Sequence, residues 1–482
     1  MLLDDSQLDR LEAEAMSLLE DVGLGVRNEE VAALLRKRGC RLGRAGRLLI
    51  PGELAREVVD AQKARAEQEK RERAVAGQSP APAGQGPVMT GAFCPGPTRH
   101  YDFERGESAP LTNEIVDMMM RLVEATPEIG TAHCWWLPGV EAEVECVANL
   151  VRALKLTRKV TGLDAIHPKQ VRYLVEIGEI LTGEPRSTRY LSGSQCMTPP
   201  LILGNRAAEE MLERRNCGVP VYFVATMTML GVSSPITRWG SVVAGAAEIL
   251  GGMVAAHAVC PEGRITGGAF VVSADMKGGH MTMAAPEIAW VNAAICELFD
   301  RRLGGRVSAG TQYAPCAQVP GLQATYENYF LACAAARTEG RPPEYAGRGL
   351  LANGAVGCPE QLMLDIEAAA ALQSVDRPAP MNDDSLALDV LREIILGPGR
   401  TFLDHEHTAR RWRDRWAPRL FLWDPPGPGS PHRDGSERSI LERAHEMWRD
   451  NLERYEPPEW PSDVIKALDG VEARARHDLL GG

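Results

Sequence analysis

Seven short apolar runs recur along this chain, and each is followed by a stretch with helical periodicity. The runs centre near Thr131 (GTAHCWW), Thr161 (KVTGL), Leu191 (RYLSGSQ), Phe223 (PVYFVATM), Thr266 (RITGGAF), Ser308 (RVSAGT) and Leu350 (RGLLANG). The helical stretches lie at 141–156, 168–182, 205–216, 238–258, 286–303, 321–338 and 359–374. Neighbouring strand centres stand about 30 residues apart in the first half and about 42 in the second, the range of a βα unit. A parallel strand reaches its neighbour only through a crossover, so this repeat admits few architectures. The expected fold class is α/β, a (β/α)8 TIM barrel. Two positions are open for the eighth strand, Val88–Phe93 and the neighbourhood of Ala379–Met381. A doubly wound open sheet competes, but it wants a glycine-rich phosphate loop after its first strand, and AHCWWLPG offers none.

The flanks divide by composition. Residues 1–77 read as an N-terminal helical segment, and QSPAPAGQGP at 78–87 as a linker. The barrel is expected over 88–380, and a C-terminal helical extension packing on it over 381–482. That extension has helical periodicity at about 384–396, 405–414 and 437–452, broken by WDPPGPGSPHRDG.

Bulk properties exclude several functions. The chain is 44% hydrophobic and 24% charged, which suits a large globular core. Its net charge of -12 argues against nucleic acid or an anionic membrane as the main partner. The opening MLLDDSQLDRLEAEAMSLLEDVGL is amphipathic and charged, without an apolar signal core. The longest later apolar run, Val242–Cys260, carries Glu248 and His257. These features predict a cytoplasmic location. The 11 cysteines contain no CxxC pair and no zinc spacing, so buried thiols and no bound metal are expected.

In a strand-loop-helix unit, ligands meet the chain just past the strand's carboxyl end. Arg306–Phe330 is such a unit, with Gln312 and Tyr313 in its loop and Gln323, Tyr326 and Glu327 opening its helix. The other strand ends supply Trp135, Trp136, Gln195, Met197, Thr226 to Met229, Phe270 and Asn353. This set is aromatic and sulfur-rich and short of bases. It suits a ligand with methyl groups and a diffuse positive charge, because aromatic faces attract alkylammonium ions by about 0.5–2 kcal/mol per contact. For the Trp pair the competing assignment is one ring in the core and the other over the helix layer.

Farther on, GPGRTFLDHEHTARRW at 397–412 carries an HxH pair, His405 and His407. On a helix such rings point about 200° apart, so a hydrogen-bonding role at the rim is expected rather than metal binding. DAIHPK around His167 looks like a DxHxxG corrinoid signature but lacks its spacing, which excludes a corrinoid bound to this chain. P-loops, GxSxG elbows, HExxH and EF-hand patterns are absent from the sequence.

These residues carry a resemblance. LLEDVGLGVRNEEVAALLRKRGCRL, SPITRWGSVVAGAAEILGGMVAAHAVCPEG, ADMKGGHMTMAAPE, GLQATYEN and DDSLALDVLREIILGPGRTFLDHEHT resemble the trimethylamine methyltransferase superfamily, in its non-pyrrolysine branch, which includes glycine betaine methyltransferases. The GPGxxFLxHEHT run is the most specific of them. The resemblance implies a (β/α)8 barrel and methyl transfer from a quaternary, betaine-like amine to cob(I)alamin on a separate corrinoid protein. No cofactor would then be tightly bound to this chain, and a homo-oligomer is implied. A quaternary ammonium leaves as a neutral amine, so no acid is required, and 311–320 holds ordinary residues where activation of a tertiary amine would need pyrrolysine.

By the family motif, Glu327 and Gln323 would orient the substrate cation. Trp135, Trp136, Phe270 and Tyr313, with Gln195 and Gln312, would line its site. His405 and His407 would stand at the rim where the corrinoid docks. The chain departs from the family at Gly321, where many relatives carry Asp, at Arg238-Trp239, and in AHCWW, which points to a reshaped pocket. Arg238 is open to two roles, binding a substrate carboxylate or pairing with Glu248 or another acid on the surface. Two other functions compete: a barrel lyase or isomerase using Glu327 and a His as base and acid, and a non-catalytic protein that binds a methylated amine.

Overall fold

The computed structural model describes residues 2–75, 87–94, 96–309, 314–339, 345–375, 377–397, 399, 401–423 and 436–481. Gln312, Tyr313 and all but the last residue of the 78–87 linker lie outside that set.

Parallel pairing follows the order of the sequence. Met89 bridges Ile129, Ala92 bridges Ala132, and Ala132 bridges Val160. Leu163–Asp164 pairs with Leu191–Ser192, Gln195–Cys196 with Val221–Thr226, Val221–Thr226 with Arg264–Ala269, and Arg264–Ala269 with Val307–Ala309. Six expected strand centres, from Thr131 to Ser308, therefore fall on or beside parallel segments. Of the two positions open for a further strand, Val88–Phe93 is the one that pairs, whereas Ala379–Met381 is exposed chain without regular structure. The run near Leu350 departs from expectation. Leu350–Leu351 pairs antiparallel with Val356–Gly357, because the backbone reverses through Ala352–Gly354, where Asn353 takes a φ of +54°. The architecture is mixed α/β with several parallel sheets.

Five of the seven intervening helices match the start of their periodic stretches, whereas 141–156 is helical only over Glu145–Leu154 and 168–182 opens with a 3-10 turn at Pro168–Gln170. Asn205–Asn216, Arg238–Val259, Pro286–Leu298, Leu322–Glu339 and Pro359–Val375 begin within one residue of expectation. Arg238–Val259 is apolar enough and long enough to cross a membrane, yet most of it is buried inside the protein. Its Gly251-Gly252 pair shows how it is packed from two sides. A Cβ on Gly251 would lie 3.1 Å from Leu19 of the helix Asp5–Asp21, while one on Gly252 would lie 2.3 Å from Val224 of the sheet. One glycine admits the N-terminal segment and the next admits a strand. Leu8, Leu11, Ala15 and Leu19 of Asp5–Asp21 are buried at helical spacing and form the other half of this contact.

The C-terminal extension holds two kinds of structure. Glu437–Glu453 and a helix that the periodicity reading did not assign, Ser462–Leu480, bury Ala444, Trp448, Leu468, Val471 and Ala475. Between Asp383 and Asp414 the pieces are short, and only Ile394 is buried in the helix Leu388–Leu396.

Candidate functional site

A cavity of about 520 Å³ opens where several parallel segments end. Cys94 lies just past the Ala92 pairing, His133 just past Ala132, and Asp164 and Ser192 end their strands. Ser194, Cys196, Phe223, Met227, Phe270, Met283 and Asn353 complete the parts used below. Two larger depressions, of about 640 and 790 Å³, flank Tyr101 and Phe103 beside the helix Glu437–Glu453. They lie away from these strand ends, and position decides for the smaller cavity.

One wall is aromatic. The Phe223 and Phe270 rings are 6.0 Å apart and tilted by 49°. Gly268 makes room for them, since a Cβ there would stand 2.7 Å from Phe223 and 2.9 Å from Phe270. The thioethers of Met227 and Met283 add polarizable apolar surface.

The polar side is asymmetric. Arg214 is only 3% exposed and fully engaged. Its Nε donates to Glu210 at 2.9 Å, its Nη1 to the Val221 carbonyl at 2.9 Å, and its Nη2 to the Ser192 carbonyl. Asp164 is exposed to the cavity, and no hydrogen bond or ion pair from a described residue reaches its carboxylate. Gly193 (φ +109°) holds the turn beside both. A Cβ at that position would lie 3.3 Å from Asp164 Cγ and 3.3 Å from Arg214 Nη2.

Cys94 and His133 face each other on neighbouring segments held by the His133 N–H to Ala92 carbonyl bond of 2.8 Å. Burial pushes the Cys94 thiol up, but a hydrogen bond and the charge of His133, helped by Arg348, outweigh it and hold the thiol below its ordinary value. Burial likewise pushes the His133 ring down, and Cys94 with Asp164 more than offsets this, so the imidazole is raised. Both directions favour a thiolate–imidazolium pair. Cys196 in the same cavity is the opposite case: burial raises its thiol, with Ser194 only partly opposing.

Of the strand-end residues expected from sequence, Met227, Phe270 and Asn353 line this cavity. Gln195 stands behind it, buried, donating to Glu210 at 2.8 Å and accepting the Phe223 N–H at 2.9 Å. Trp135 is fully buried edge-on to Phe93 at 4.9 Å, with its ring over Gly357, and Trp136 is 38% exposed and donates to the Gly96 carbonyl at 3.0 Å. Neither indole reaches the cavity, and the pair divides between core and surface.

Glu327 receives the N–H groups of Cys316 (2.6 Å) and Ala317 (3.2 Å), and Gln323 donates to it at 2.8 Å. Its carboxylate pins the loop that brings Ala314 to the cavity, while Gln323 is exposed in the larger depression. His405 caps Glu406–Arg411 by accepting the His407 N–H at 3.0 Å, and its other nitrogen is 3.5 Å from Glu393. The Nε2 of His407 is buried without a hydrogen-bond partner among the described residues, and neither ring lines the cavity. Arg238 is exposed over the Trp290 ring at 5.8 Å, and Glu248 is buried elsewhere. Gln312 and Tyr313 fall outside the described residues. Among the described residues no group of three or more His, Cys, Asp or Glu could hold a metal.

Sequence reasoning passed over Cys94, His133 and Asp164. The available signal was positional: His133 and Asp164 follow the last apolar residue of GTA and VTGL.

The aromatic, thioether-lined cavity at the strand ends of this mixed α/β scaffold is its candidate small-molecule site. The profile of the trimethylamine methyltransferase (MTTB) family matches residues 1–479, and the chain belongs to that family. It is 27% identical over 298 residues to the trimethylamine methyltransferase MttB of Methanosarcina barkeri strain Fusaro, covering 62% of this chain and 58% of that protein. The trimethylamine methyltransferase MttB of Desulfitobacterium hafniense strain DCB-2 is 25% identical over 287 residues, 57% of this chain and 54% of its own length. The glycine betaine methyltransferase of Desulfitobacterium hafniense strain Y51 is 24% identical over 278 residues, 57% of this chain and 56% of its own length. The chain thus spans between half and three fifths of the curated relatives it matches.

Proposed function

We propose that this protein moves a methyl group from a small quaternary ammonium compound to a corrinoid carried by a separate protein. We also propose that its parallel segments close into a (β/α)8 barrel whose mouth is the cavity described above, in a cytoplasmic homo-oligomer. The observation that carries the reading is the cavity wall: Phe223, Phe270, Met227 and Met283 at strand ends form a surface suited to methyl groups and diffuse positive charge. About 520 Å³ accommodates a small methylated amine but falls far short of a corrin ring with its substituents. The corrinoid, held by its carrier, supplies the nucleophilic cobalt that accepts the methyl group.

This chain's residues then have three tasks. The aromatic and thioether walls hold the cation through its methyls and keep water from them. The turn at Gly193 and the Glu327-pinned loop fix the shape of the mouth. No side chain needs to deliver a proton, since the amine leaves neutral. The competing lyase reading requires Glu327 as a base, whereas its carboxylate is occupied by two backbone amides.

The test is to mix the protein with reduced cobalamin, with and without the cognate corrinoid protein, and a panel of tetramethylammonium, choline, glycine betaine, carnitine and trimethylamine. Loss of the cob(I)alamin absorbance with a quaternary compound but not with trimethylamine is expected. Tight ligand binding with no methylation in either arrangement would replace the reading with a non-catalytic binding role.

A further inference from the structure

The charges around the cavity select among methylated amines. Among the described lining residues, three side chains bear or readily take a full charge apart from the Cys94 thiol: Asp164, Arg214 and His133. Arg214 has its guanidinium engaged by Glu210 and two carbonyls and is almost fully buried. His133 has Cys94 as its hydrogen-bonding partner, and Asp164 acts on it only through its charge. Asp164 is left, a carboxylate facing the cavity with no hydrogen-bonding or ion-pair partner among the described residues. A ligand therefore meets an available negative charge in a cavity with an aromatic wall, and no uncommitted cation among the described lining residues. Such a site complements a cation and repels a ligand's own carboxylate.

Resting on the methyl-transfer reading above, we propose that Asp164 is the counter-ion of the substrate's ammonium group, and that the site takes a methylated ammonium ion carrying no carboxylate. Gly193 belongs to this device. Its missing side chain leaves the space beside Asp164 Cγ open and lets Arg214 stay on its carbonyl and Glu210 partners.

Calorimetric titration of the full chain tests it, using tetramethylammonium, choline, glycine betaine and 3,3-dimethylbutan-1-ol, the uncharged carbon isostere of choline. Choline and tetramethylammonium should bind at least about tenfold more tightly than the isostere and than glycine betaine, the scale of one partly solvated ion pair. Asp164→Asn should remove the preference for choline over its isostere, and Asp164→Glu should keep it within a few-fold. A variant that merely loosened the fold would weaken both ligands alike, so the loss of preference is specific to the charge.

An unchanged preference in Asp164→Asn, glycine betaine binding as tightly as choline, or no measurable binding of either ammonium ion would each overturn the proposal. Its failure is separable from that of the methyl-transfer reading. The binding pattern without any cobalamin methylation leaves Asp164 in its role and removes the reaction. Methylation unaffected by Asp164→Asn does the reverse.

Discussion

Two kinds of carboxylate in this protein can be set side by side, a first group buried in the framework and one that faces the cavity. Glu210, Glu248, Asp365 and Glu367 are nearly or completely buried, and each is met by converging donors. Glu210 has Arg214 and Gln195, and Glu248 has the Leu201 N–H and the hydroxyls of Thr226 and Thr228. Asp365 has the Gly349 N–H, Gln361, Tyr345 and Asn328, and Glu367 has the N–H groups of Arg419, Leu420 and Phe421. Asp164, a strand-end residue facing the cavity, has none of this among the described residues. Burying a charge is tolerated only when donors replace water, so the first group is framework. A carboxylate kept at a cavity and left without donors is available to something that arrives from outside.

The contrast is broken most forcefully at Glu210. Glu210→Ala leaves Arg214 buried without its carboxylate, and unfolding by urea should show a loss of about 3–5 kcal/mol. A loss below about 1 kcal/mol would mean that the framework assignment is mistaken.

Asp365 comes next. Burial, only partly opposed by its four donors, raises its carboxyl from 3.8 to about 6 in the folded protein. A raised folded value means that the folded state holds the proton more tightly. The associated stability is therefore fully present below pH 3.8 and is lost as pH rises through about 6. The difference amounts to on the order of 3 kcal/mol. In Asp365→Asn this dependence disappears, so the destabilisation measured against the native chain should be larger at pH 4 than at pH 7.5. Equal destabilisation at both pH values would contradict it.

Asp164→Asn should do the opposite of both framework changes. Its stability should stay within about 0.5 kcal/mol of the native chain while ammonium binding falls by about tenfold. Thermal melts set beside the calorimetry check the two halves together.

The smallest effect concerns the Cys94–His133 pair. Cys94 should react with iodoacetamide at a lower pH than Cys196, whose thiol is raised, and His133→Asn should slow the Cys94 reaction several-fold near neutrality. Peptide mass spectrometry resolves the two thiols. Equal rates for both would dissolve the pair.

Much of the fold was legible because its period is strong. A crossover helix between parallel strands enforces a long repeat, and the segments from Ile129 to Ala309 follow it. The turn at Asn353 was less legible, since a positive φ at a non-glycine residue has no counterpart in apolar spacing. Ser462–Leu480 was missed although Val464, Leu468, Val471 and Ala475 keep helical spacing, because charged residues between them mask the stripe.

At the site, Phe270 was readable as an aromatic residue just past a strand. Trp135 and Trp136 looked similar, yet the preceding segment makes its last bridge at Ala132 and the chain then turns one indole into the core and the other outward. Glu327 was visible through a motif, but a motif does not say that its carboxylate holds two loop amides. Asp164 resembled any turn aspartate. What distinguishes it is that it faces the cavity with no hydrogen-bonding or ion-pair partner among the described residues, an arrangement that exists only once the chain is folded.

On the proposed reading, this mouth holds a methylated cation through Asp164 and passes on its methyl group. The most direct measurement is the rate of cob(I)alamin methylation against tetramethylammonium concentration, in the native chain and in Asp164→Asn. Saturating methylation is expected in the native chain, with a half-saturating concentration about tenfold higher in the variant. Superimposable curves, or no methylation by the native chain with its corrinoid protein present, would contradict it.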